Sequence, residues 1–214
     1  MRMRLLESAM IVFAQKGVGA SVIPDVVAAA EVSQGSFYNY FRTNEELLVA
    51  VSEELSNEML ALVEAAVGGI DDPALRVATA IRSYLHLARS YPIVARFLSS
   101  AGLSLAGEGS AAFDYLPPDI KEGQKRGFFS SMPLDAATDL VAGASLIAIH
   151  RMANNRTPKR YPETMVEAML RGLGIDAAAA RSLTEAPLPK LAAQPESLLA
   201  KAQARLDSAK SGAA

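Results

Sequence analysis

The residues best suited to bind another molecule lie together between positions 33 and 44. Gln34 and Asn39 carry amides that can form two hydrogen bonds with an adenine edge, and Ser36 can bond to any base. The hydroxyl of Tyr38 can donate to a phosphate oxygen. The segment therefore predicts a surface that contacts nucleic acid. Its candidate residues are Ser33, Gln34, Gly35, Ser36, Tyr38, Asn39, Tyr40, Arg42, Thr43 and Asn44.

Two short helices joined by a turn are predicted to position this surface. Ser21 can cap the first helix, Pro24 suits its first turn, and Ser33 can cap the second helix. The first helix has an apolar face at helical spacing, formed by Val22, Ile23, Val26, Val27 and Ala30. Such a helix-turn-helix can place its second helix in the major groove of DNA.

The aromatic residues of the second helix divide between packing and contact. Phe37 and Phe41 are expected in the core, because apolar rings belong inside. Tyr40 suits either the core or the outer surface, and both alternatives stay open. Ser33 has a similar double use, since a capping hydroxyl can also touch a phosphate.

Residues 33–48 resemble the signature of the TetR/AcrR family of transcriptional regulators. The matching run is SQGSFYNYF followed by RTNEELL, and FAQKG at residues 13–17 matches the end of the family's first helix. The resemblance implies an all-α protein. It would have an N-terminal three-helix helix-turn-helix DNA-binding domain (residues 1–48) and a larger helical domain for ligand binding and dimerisation (residues 49–191). Residues 192–214 form an alanine-rich tail, either a docked extra helix or a frayed end.

The sequence departs from the family pattern at two positions. Glu31 stands where glycine is usual, and we expect it to continue the preceding helix and make the turn less sharp. Asn44 stands where a lysine usually grips a phosphate, so only a neutral amide is available there. Arg42 is close enough in sequence to compensate. The matching family tyrosine implies that Tyr38 holds a phosphate.

Family resemblance also implies an internal cavity for a small effector. Aromatic residues and methionine suit flat or apolar ligands, although for each single residue plain core is the better interpretation. The candidate lining residues are Tyr84, Leu87, Phe97, Leu98, Leu103, Phe113, Tyr115, Phe128, Phe129, Met132 and His150.

The hydrophobic pattern predicts helices over residues 44–67, 116–127, 134–153 and 161–173, the second of them opened by Pro117 and Pro118. In the family the last two of these helices pair with their copies across a two-fold axis. The expected dimer-interface residues are Gly143, Ala144, Ile147, Ala148, Arg151, Met165 and Met169.

Composition excludes several other classes of site. The 214 residues include no cysteine and only two histidines, so we expect no disulfide, no metal site and no cofactor. No serine, histidine and acid set stands out, and we expect no enzyme activity. No apolar run reaches the roughly 20 residues of a membrane span, and a cytoplasmic protein is expected. The net charge of −2 counts against strong phosphate neutralisation.

These observations predict a homodimeric DNA-binding repressor that a small hydrophobic or aromatic effector releases from its operator. The partners would be double-stranded DNA, the effector and a second copy of the chain, with no membrane. The alternative is a small-molecule-binding helical sensor whose DNA binding is weakened or lost. Glu31, Asn44 and the neutral N-terminal domain motivate that alternative.

Overall fold

The computed structural model describes residues 1–19, 22–102 and 111–211, with backbone only for 111–114 and 209–211. The regular secondary structure of these ranges is helical, which confirms the all-α fold. The helices are α1 (Arg2–Lys16), α2 (Ile23–Ala29), α3 (Gln34–Tyr38), α4 (Asn44–Val67), α5 (Pro73–Ser90), α6 (Pro92–Ala101), α7 (Ala111–Lys125), α8 (Leu134–Asn154), α9 (Tyr161–Gly172), α10 (Ala177–Glu185) and α11 (Leu198–Ser211).

Helices α1 to α3 and the start of α4 enclose one end of a continuous apolar core. Phe13 of α1, Val26 of α2, Phe37 of α3 and Leu47 of α4 have no exposed surface. Val22 is the N-cap of α2, and the predicted cap Ser21 lies outside the described residues. The predicted helix-turn-helix is thus present, held together by side chains from all four helices.

The turn between α2 and α3 is sharper than the sequence suggested. Glu31 leaves the helix and takes a left-handed conformation, with φ +50°. The amide of Val32 donates to the carbonyl of Val27, and that of Glu31 to Ala28, each over 3.1 Å. This is the hydrogen-bond pattern of a Schellman C-cap, in which glycine is the usual residue at the left-handed position. Glu31 therefore ends α2, and the expectation that it extends the helix is wrong.

Helix α4 connects the N-terminal end of the molecule to the rest. It runs without a break through residue 48, and Leu55, Met59 and Val63 on its inner face are buried. It packs on α1 and on α5, which is the central helix of the C-terminal part and also touches α6, α7, α8, α9 and α10. Helix α4 therefore joins the C-terminal part to the N-terminal helices by one continuous element.

Helix α7 begins earlier than the prolines indicated. Pro117 and Pro118 lie inside the helix, which starts at Ala111, and not at its N-terminus as predicted. Proline lacks the amide hydrogen of a helix bond, so the helix continues here with two backbone bonds missing. The side chain of Arg76 supports the neighbouring packing by bonding to Glu64 of α4 (2.9 Å) and Asp119 of α7 (3.0 Å).

The last helix docks on the body of the protein. Leu198, Leu199, Ala202 and Leu206 of α11 are buried, and the helix packs on α1, α4 and α6. Of the two alternatives for the tail, the docked helix is the one that the structure contains over residues 198–211. No helix in the described part of the chain is long and apolar enough to cross a membrane.

Candidate nucleic-acid interface and ligand-binding residues

The N-terminus of α3 is set by a hydroxyl cap. The side chain of Ser33 accepts a hydrogen bond from the amide of Ser36 (3.1 Å), and the two hydroxyl oxygens lie 2.9 Å apart. Ser33 therefore caps the helix, as its position predicts. The same contact fixes Ser36, so that Gln34 and Gly35 form the exposed first turn.

Buried rings hold the polar face of α3 outward. Phe37 is fully buried and Phe41 nearly so, with 6.0 Å between their ring centroids. Tyr38 stacks edge-on against Phe37 at 5.5 Å, yet 52% of its surface remains exposed. Gln34 and Asn39 are exposed as well, and Tyr40 takes the outward alternative with 43% of its surface exposed. Four of the predicted contact residues, Gln34, Tyr38, Asn39 and Tyr40, are thus accessible and carry uncharged hydrogen-bonding groups.

The segment that follows α3 is fixed by a second cap. Thr43 accepts from the amide of Glu46 (3.1 Å), and the Glu46 carboxylate accepts from the amide of Arg42 (2.7 Å). The side chain of Arg42 stays exposed beside α3. Asn44 is half-buried and donates its amide to the carbonyl of Val18 over 3.1 Å. Its side chain ties α4 to the loop after α1, which is a structural role that the sequence did not predict.

Most positive charges of this end are paired within the protein. Arg2 lies 3.4 Å from Glu54, Arg4 lies 3.4 Å from Glu31, and Lys16 lies 2.7 Å from Asp25. Within the described part of residues 1–48, Arg42 is the arginine or lysine that makes no ion pair. Exposed pairs of this kind contribute only about 0–1 kcal/mol each, so a phosphate can compete with the carboxylates at small cost.

Six of the predicted effector-lining residues face the interior. Leu87, Phe97, Leu98 and Phe129 are buried, and Tyr84 and Met132 are half-buried. Phe97 of α6 lies against Phe13 of α1, with ring centroids 6.3 Å apart. This contact joins the C-terminal part directly to α1, which packs on α2 of the helix-turn-helix.

Three other predicted lining residues face solvent, which corrects their assignment. Tyr115 is 49% exposed, and Phe128 is 37% exposed under the guanidinium of Arg126 at 5.3 Å. His150 is exposed on α8, where its Nδ1 lies 2.8 Å from the hydroxyl of Ser99. Side chains on the outer surface cannot line an enclosed cavity. Leu103 and the side chain of Phe113 lie outside the described residues.

Two adjacent hydroxyl-bearing residues of α5 are of interest, the buried Ser83 and the half-buried Tyr84, and the sequence pointed only to Tyr84. The hydroxyl of Ser83 is fully buried and has no hydrogen-bond partner among the described residues. Burial raises the pKa of the neighbouring Tyr84 to about 12, because its phenol is deep among protein atoms. A buried hydroxyl without a partner costs about 1–3 kcal/mol. A single serine in an apolar helix is a weak sequence signal, and Ser83 became a candidate only through its burial.

The outer face of α8 carries an exposed apolar stripe. Ile147 is 59% and Leu140 is 41% exposed, while a Cβ at Gly143 would meet nothing within 4 Å beyond its chain neighbours and the adjacent backbone of α8, among the described residues. Arg151 is exposed, and Ala144 and Met165 are half-buried beside this stripe. Ala148 and Met169 were expected there but are buried inside the protomer at 0% and 2% exposure. Both belong to the apolar core of the protomer, which corrects the predicted interface.

The described residues contain no group of three histidine, cysteine, aspartate or glutamate side chains arranged to hold a metal ion. The described residues thus contain three candidate features: an exposed polar surface on α3, the buried Ser83 beside the half-buried Tyr84 on α5, and an exposed apolar stripe on α8. These three features lie in different parts of the chain.

Proteins with related sequences share parts of this arrangement. The repressor DhaR of Mycobacterium sp. (strain GP1) is 32% identical over 75 residues, which are 35% of this chain and 38% of that protein. The regulator YvdT of Bacillus subtilis (strain 168) is 32% identical over 69 residues, covering 32% of this chain and 36% of its own length. The matches thus span less than two fifths of these relatives.

Solved structures match nearly the whole chain. RolR bound to resorcinol is 30% identical, with a TM-score of 0.69 over 89% of this chain and 96% of RolR. RolR without ligand gives a TM-score of 0.73 at 29% identity, over 90% of this chain and 100% of RolR. FadR of Bacillus subtilis with stearoyl-CoA is 16% identical, with a TM-score of 0.68 over 83% of this chain and 99% of FadR, and at that identity shares only the fold.

Two family models together span most of the chain. The model of bacterial regulatory proteins of the tetR family matches residues 5–51, which contain the exposed surface of α3. The model of the tetracyclin repressor-like C-terminal domain matches residues 72–185, which contain Ser83, Tyr84 and the stripe of α8. The chain belongs to the TetR family of DNA-binding transcriptional regulators.

Proposed function

We propose that this regulator is a homodimeric repressor, released from its operator by a small aromatic effector that carries hydroxyl groups. The observation that supports DNA reading best is the surface of α3. Gln34, Tyr38 and Asn39 are exposed there, and Phe37 and Phe41 beneath them are buried. Amides and hydroxyls on a rigid, outward-facing helix suit direct reading of base edges and contact with phosphates.

The dimer follows from the size of one α3 helix and from the surface of α8. A single five-residue helix buries too little surface for specific recognition, and a two-fold pair can read two half-sites about 34–36 Å apart. Leu140, Gly143 and Ile147 offer an exposed apolar stripe with room for close approach of a second copy. Sequestering such a stripe is favourable, because exposed apolar surface carries a cost in water.

The effector class rests on Ser83 and Tyr84. Ser83 places a hydroxyl without a partner among the described residues in the apolar interior, and the half-buried Tyr84 adjoins it in the chain; a ligand with its own hydroxyl groups would satisfy Ser83 while its ring packs among buried aliphatic and aromatic side chains. RolR, which is 30% identical over most of its length, binds resorcinol. Release from DNA requires only that the effector binds the DNA-incompetent arrangement more tightly than the competent one.

A competition gel shift tests this proposal. The labelled duplex comes from the region upstream of the chain's own coding sequence, and the competitor is a random duplex of equal length. Preference by roughly 10³-fold or more supports specific binding, and resorcinol added to the complex then tests release. Equal competition by both duplexes would reject the repressor.

The alternative function is a helical ligand sensor with little DNA binding. The pairing of Arg2, Arg4 and Lys16 with carboxylates supports it, because a phosphate must displace a carboxylate of the same chain to contact any of these three side chains. The same gel shift separates the two functions. A sensor would bind resorcinol in calorimetry and yet show no preference for any duplex at low salt.

A further inference from the structure

The chain after α10 returns from the C-terminal part to the N-terminal helices. We call residues 186–211 the C-terminal strap. The carbonyl of Ala186 accepts from the buried guanidinium of Arg82 on α5 (2.8 Å), which fixes the start of the strap. Further on, the amide of Ala193 donates to the hydroxyl of Tyr91 (2.9 Å), at the junction of α5 and α6. These two bonds direct the strap across the molecule toward α1.

The strap next joins the connecting helix α4. The amides of Leu198 and Leu199 donate to the two carboxylate oxygens of Glu58, over 2.5 and 3.0 Å. These amides are in the first turn of α11, where backbone donors have no partner within the helix. A carboxylate is favourable there both as an acceptor and as a negative charge at the positive helix end. Glu58 therefore anchors α11 at one defined position on α4.

The far half of α11 joins α1 and α6. Arg205 lies 3.0 Å from Glu7 of α1, a carboxylate whose side chain is only 8% exposed, and it also donates to Ser8 over 3.2 Å. The side chain of Gln203 accepts from the amide of Ile93 at the start of α6 (3.1 Å). Beneath these polar contacts Leu198, Leu199, Ala202 and Leu206 are buried. Helix α11 thus contacts both α1, among the N-terminal helices, and α6, in the C-terminal part.

The strap is additional to the shared domains of the family. The two family models end at residues 51 and 185, so neither includes α11. The strap nevertheless bridges the two matched regions with polar contacts at both ends. A helix that only covered apolar surface would need neither the ion pair of Arg205 with Glu7 nor the hydrogen bond of Gln203 with the amide of Ile93.

We infer that the C-terminal strap is a coupling device, which fixes the N-terminal helices against α4 and α6 so that movement of the ligand-binding part reaches α3. The Arg205–Glu7 contact and the Gln203–Ile93 bond tie α1 and α6 to the same helix and so oppose a shift of α1 relative to α6. Loosening the strap would let the N-terminal helices take many positions, only a fraction of which fit an operator. The effect on DNA rests on the proposed function, whereas the mechanical role does not.

Spin-label distances test the mechanical role directly. The chain has no cysteine, so Ala29→Cys on α2 and Lys121→Cys on α7, both exposed, give two unique labelling sites. Labelled protein is diluted into unlabelled protein, so that only distances within one protomer are measured. The native strap is expected to give a single narrow distribution. In Arg205→Glu the new carboxylate repels that of Glu7, and we expect the narrow distance distribution to be replaced by a broad one.

Two further variants make the result decisive. Arg181→Glu applies the same charge change at an exposed site of α10 and must leave the distribution narrow. Glu58→Gln is the milder strap variant, for use if circular dichroism shows that Arg205→Glu does not fold. A distribution as narrow as the native one in a folded strap variant would overturn the inference.

The DNA readout separates this inference from the proposed function. If the strap variants broaden the distance distribution and weaken binding to the preferred duplex, both stand. If they broaden the distribution while the native chain prefers no duplex, the repressor fails and the strap stands. If the native chain prefers its operator and folded strap variants leave both distance and affinity unchanged, the strap fails and the repressor stands.

Discussion

Arg4 of α1 bonds to both the main chain and the side chain of Glu31, in the turn of the helix-turn-helix. Its guanidinium donates to the main-chain carbonyl over 3.3 Å and to the carboxylate over 3.4 Å. The residue that takes the strained left-handed conformation is therefore also the one that neutralises a positive charge near α3. Position 31 affects stability and electrostatics together.

Replacing Glu31 with glycine is expected to stabilise the fold and strengthen DNA binding. A left-handed conformation costs a non-glycine residue about 1 kcal/mol, which glycine avoids. Glycine also keeps the carbonyl bond to Arg4 but removes the carboxylate. Denaturant unfolding should show a gain of up to about 1 kcal/mol, reduced by the greater freedom of glycine in the unfolded chain. Glu31→Ala separates the two effects, because it removes the charge and keeps the strain. Equal stability of the two variants would contradict this account.

Arg42 is expected to carry more of the phosphate attraction than Arg2 or Lys16. Its charge is unpaired in the described part of the N-terminal domain, whereas the other two already contact carboxylates. Arg42→Ala should lower the slope of log affinity against log salt by roughly 1 per protomer. Titrations at several salt concentrations measure this slope, with Arg181→Ala as the control. A larger change of slope in Lys16→Ala than in Arg42→Ala would refute the assignment.

Tyr38 and Asn39 are expected to contact different parts of the DNA, Tyr38 a phosphate and Asn39 a base. Tyr38→Phe removes a phosphate donor, so it should weaken binding to all duplexes alike, by about 0.5–1.5 kcal/mol. Asn39→Ala removes a base-reading amide, so it should cost about 1–3 kcal/mol on the operator and much less on random DNA. Asn57→Ala, at an exposed position of α4, is the matched control. Both affinities come from the same competition assay, and uniform loss in Asn39→Ala would show that it reads no base.

Glu163 is expected to stabilise the protein only above acid pH. Burial alone would raise the pKa of Glu163, but the hydrogen bond from His86 at 2.7 Å and the charge of Arg82 outweigh it and hold that pKa below its usual value. A lowered pKa in the folded state gives stability that is fully present above the unfolded pKa near 4.5 and is lost as the pH falls through the folded value.

The variant Glu163→Gln measures this contribution. At pH 7 it should lower the free energy of unfolding by about 2–4 kcal/mol, since it leaves the buried Arg82 without its counter-charge. The difference from the native chain should shrink as the pH falls below 4. Glu167→Gln, one turn further along α9, controls for loss of charge. A difference that stays constant from pH 7 to pH 3 would exclude the ionised carboxylate as the cause.

Ser83→Ala is expected to weaken the response to resorcinol without harming the fold. Its hydroxyl is buried and has no partner in the described part of the chain, so removal should leave the free energy of unfolding unchanged or raise it by about 1 kcal/mol. Calorimetry with resorcinol measures the lost affinity, and Ser90→Ala at the exposed end of α5 is the control. Unchanged resorcinol binding in Ser83→Ala would remove this residue from the site.

The helix-turn-helix could be predicted from residue type and spacing, but the conformation of the turn at Glu31 could not. The hydroxyl cap at Ser33 and the burial of Phe37 and Phe41 follow from residue type and spacing. Glutamate favours a helix, which predicts that Glu31 continues α2. The two hydrogen bonds of the Schellman C-cap outweigh that small preference. By contrast α9 ends with glycine in the equivalent position, Gly174 at φ +96°, which a sequence pattern reveals easily.

The C-terminal part was predicted less well because its residues are similar in type. Apolar periodicity located α8 but did not distinguish the buried Ala148 from the exposed Ile147, because α8 is apolar on both its inner and its outer face. Tyr115 and His150 were candidate lining residues by chemistry alone, and only packing of the helices sets which side faces solvent. Docking of α11 depended on distant partners such as Glu7 and Glu58, which no local pattern indicates.

The ring contact between Phe13 and Phe97 has a practical consequence for protein engineering. Because α1 and α6 share one apolar core, a fragment cut after residue 48 would leave the inner face of α1 in water. Chimaeras that transplant only the first fifty or so residues onto a relative should therefore aggregate, unless the recipient's sixth helix is redesigned to match the graft. In this protein sequence modules can be exchanged only together with the surface on which they fold.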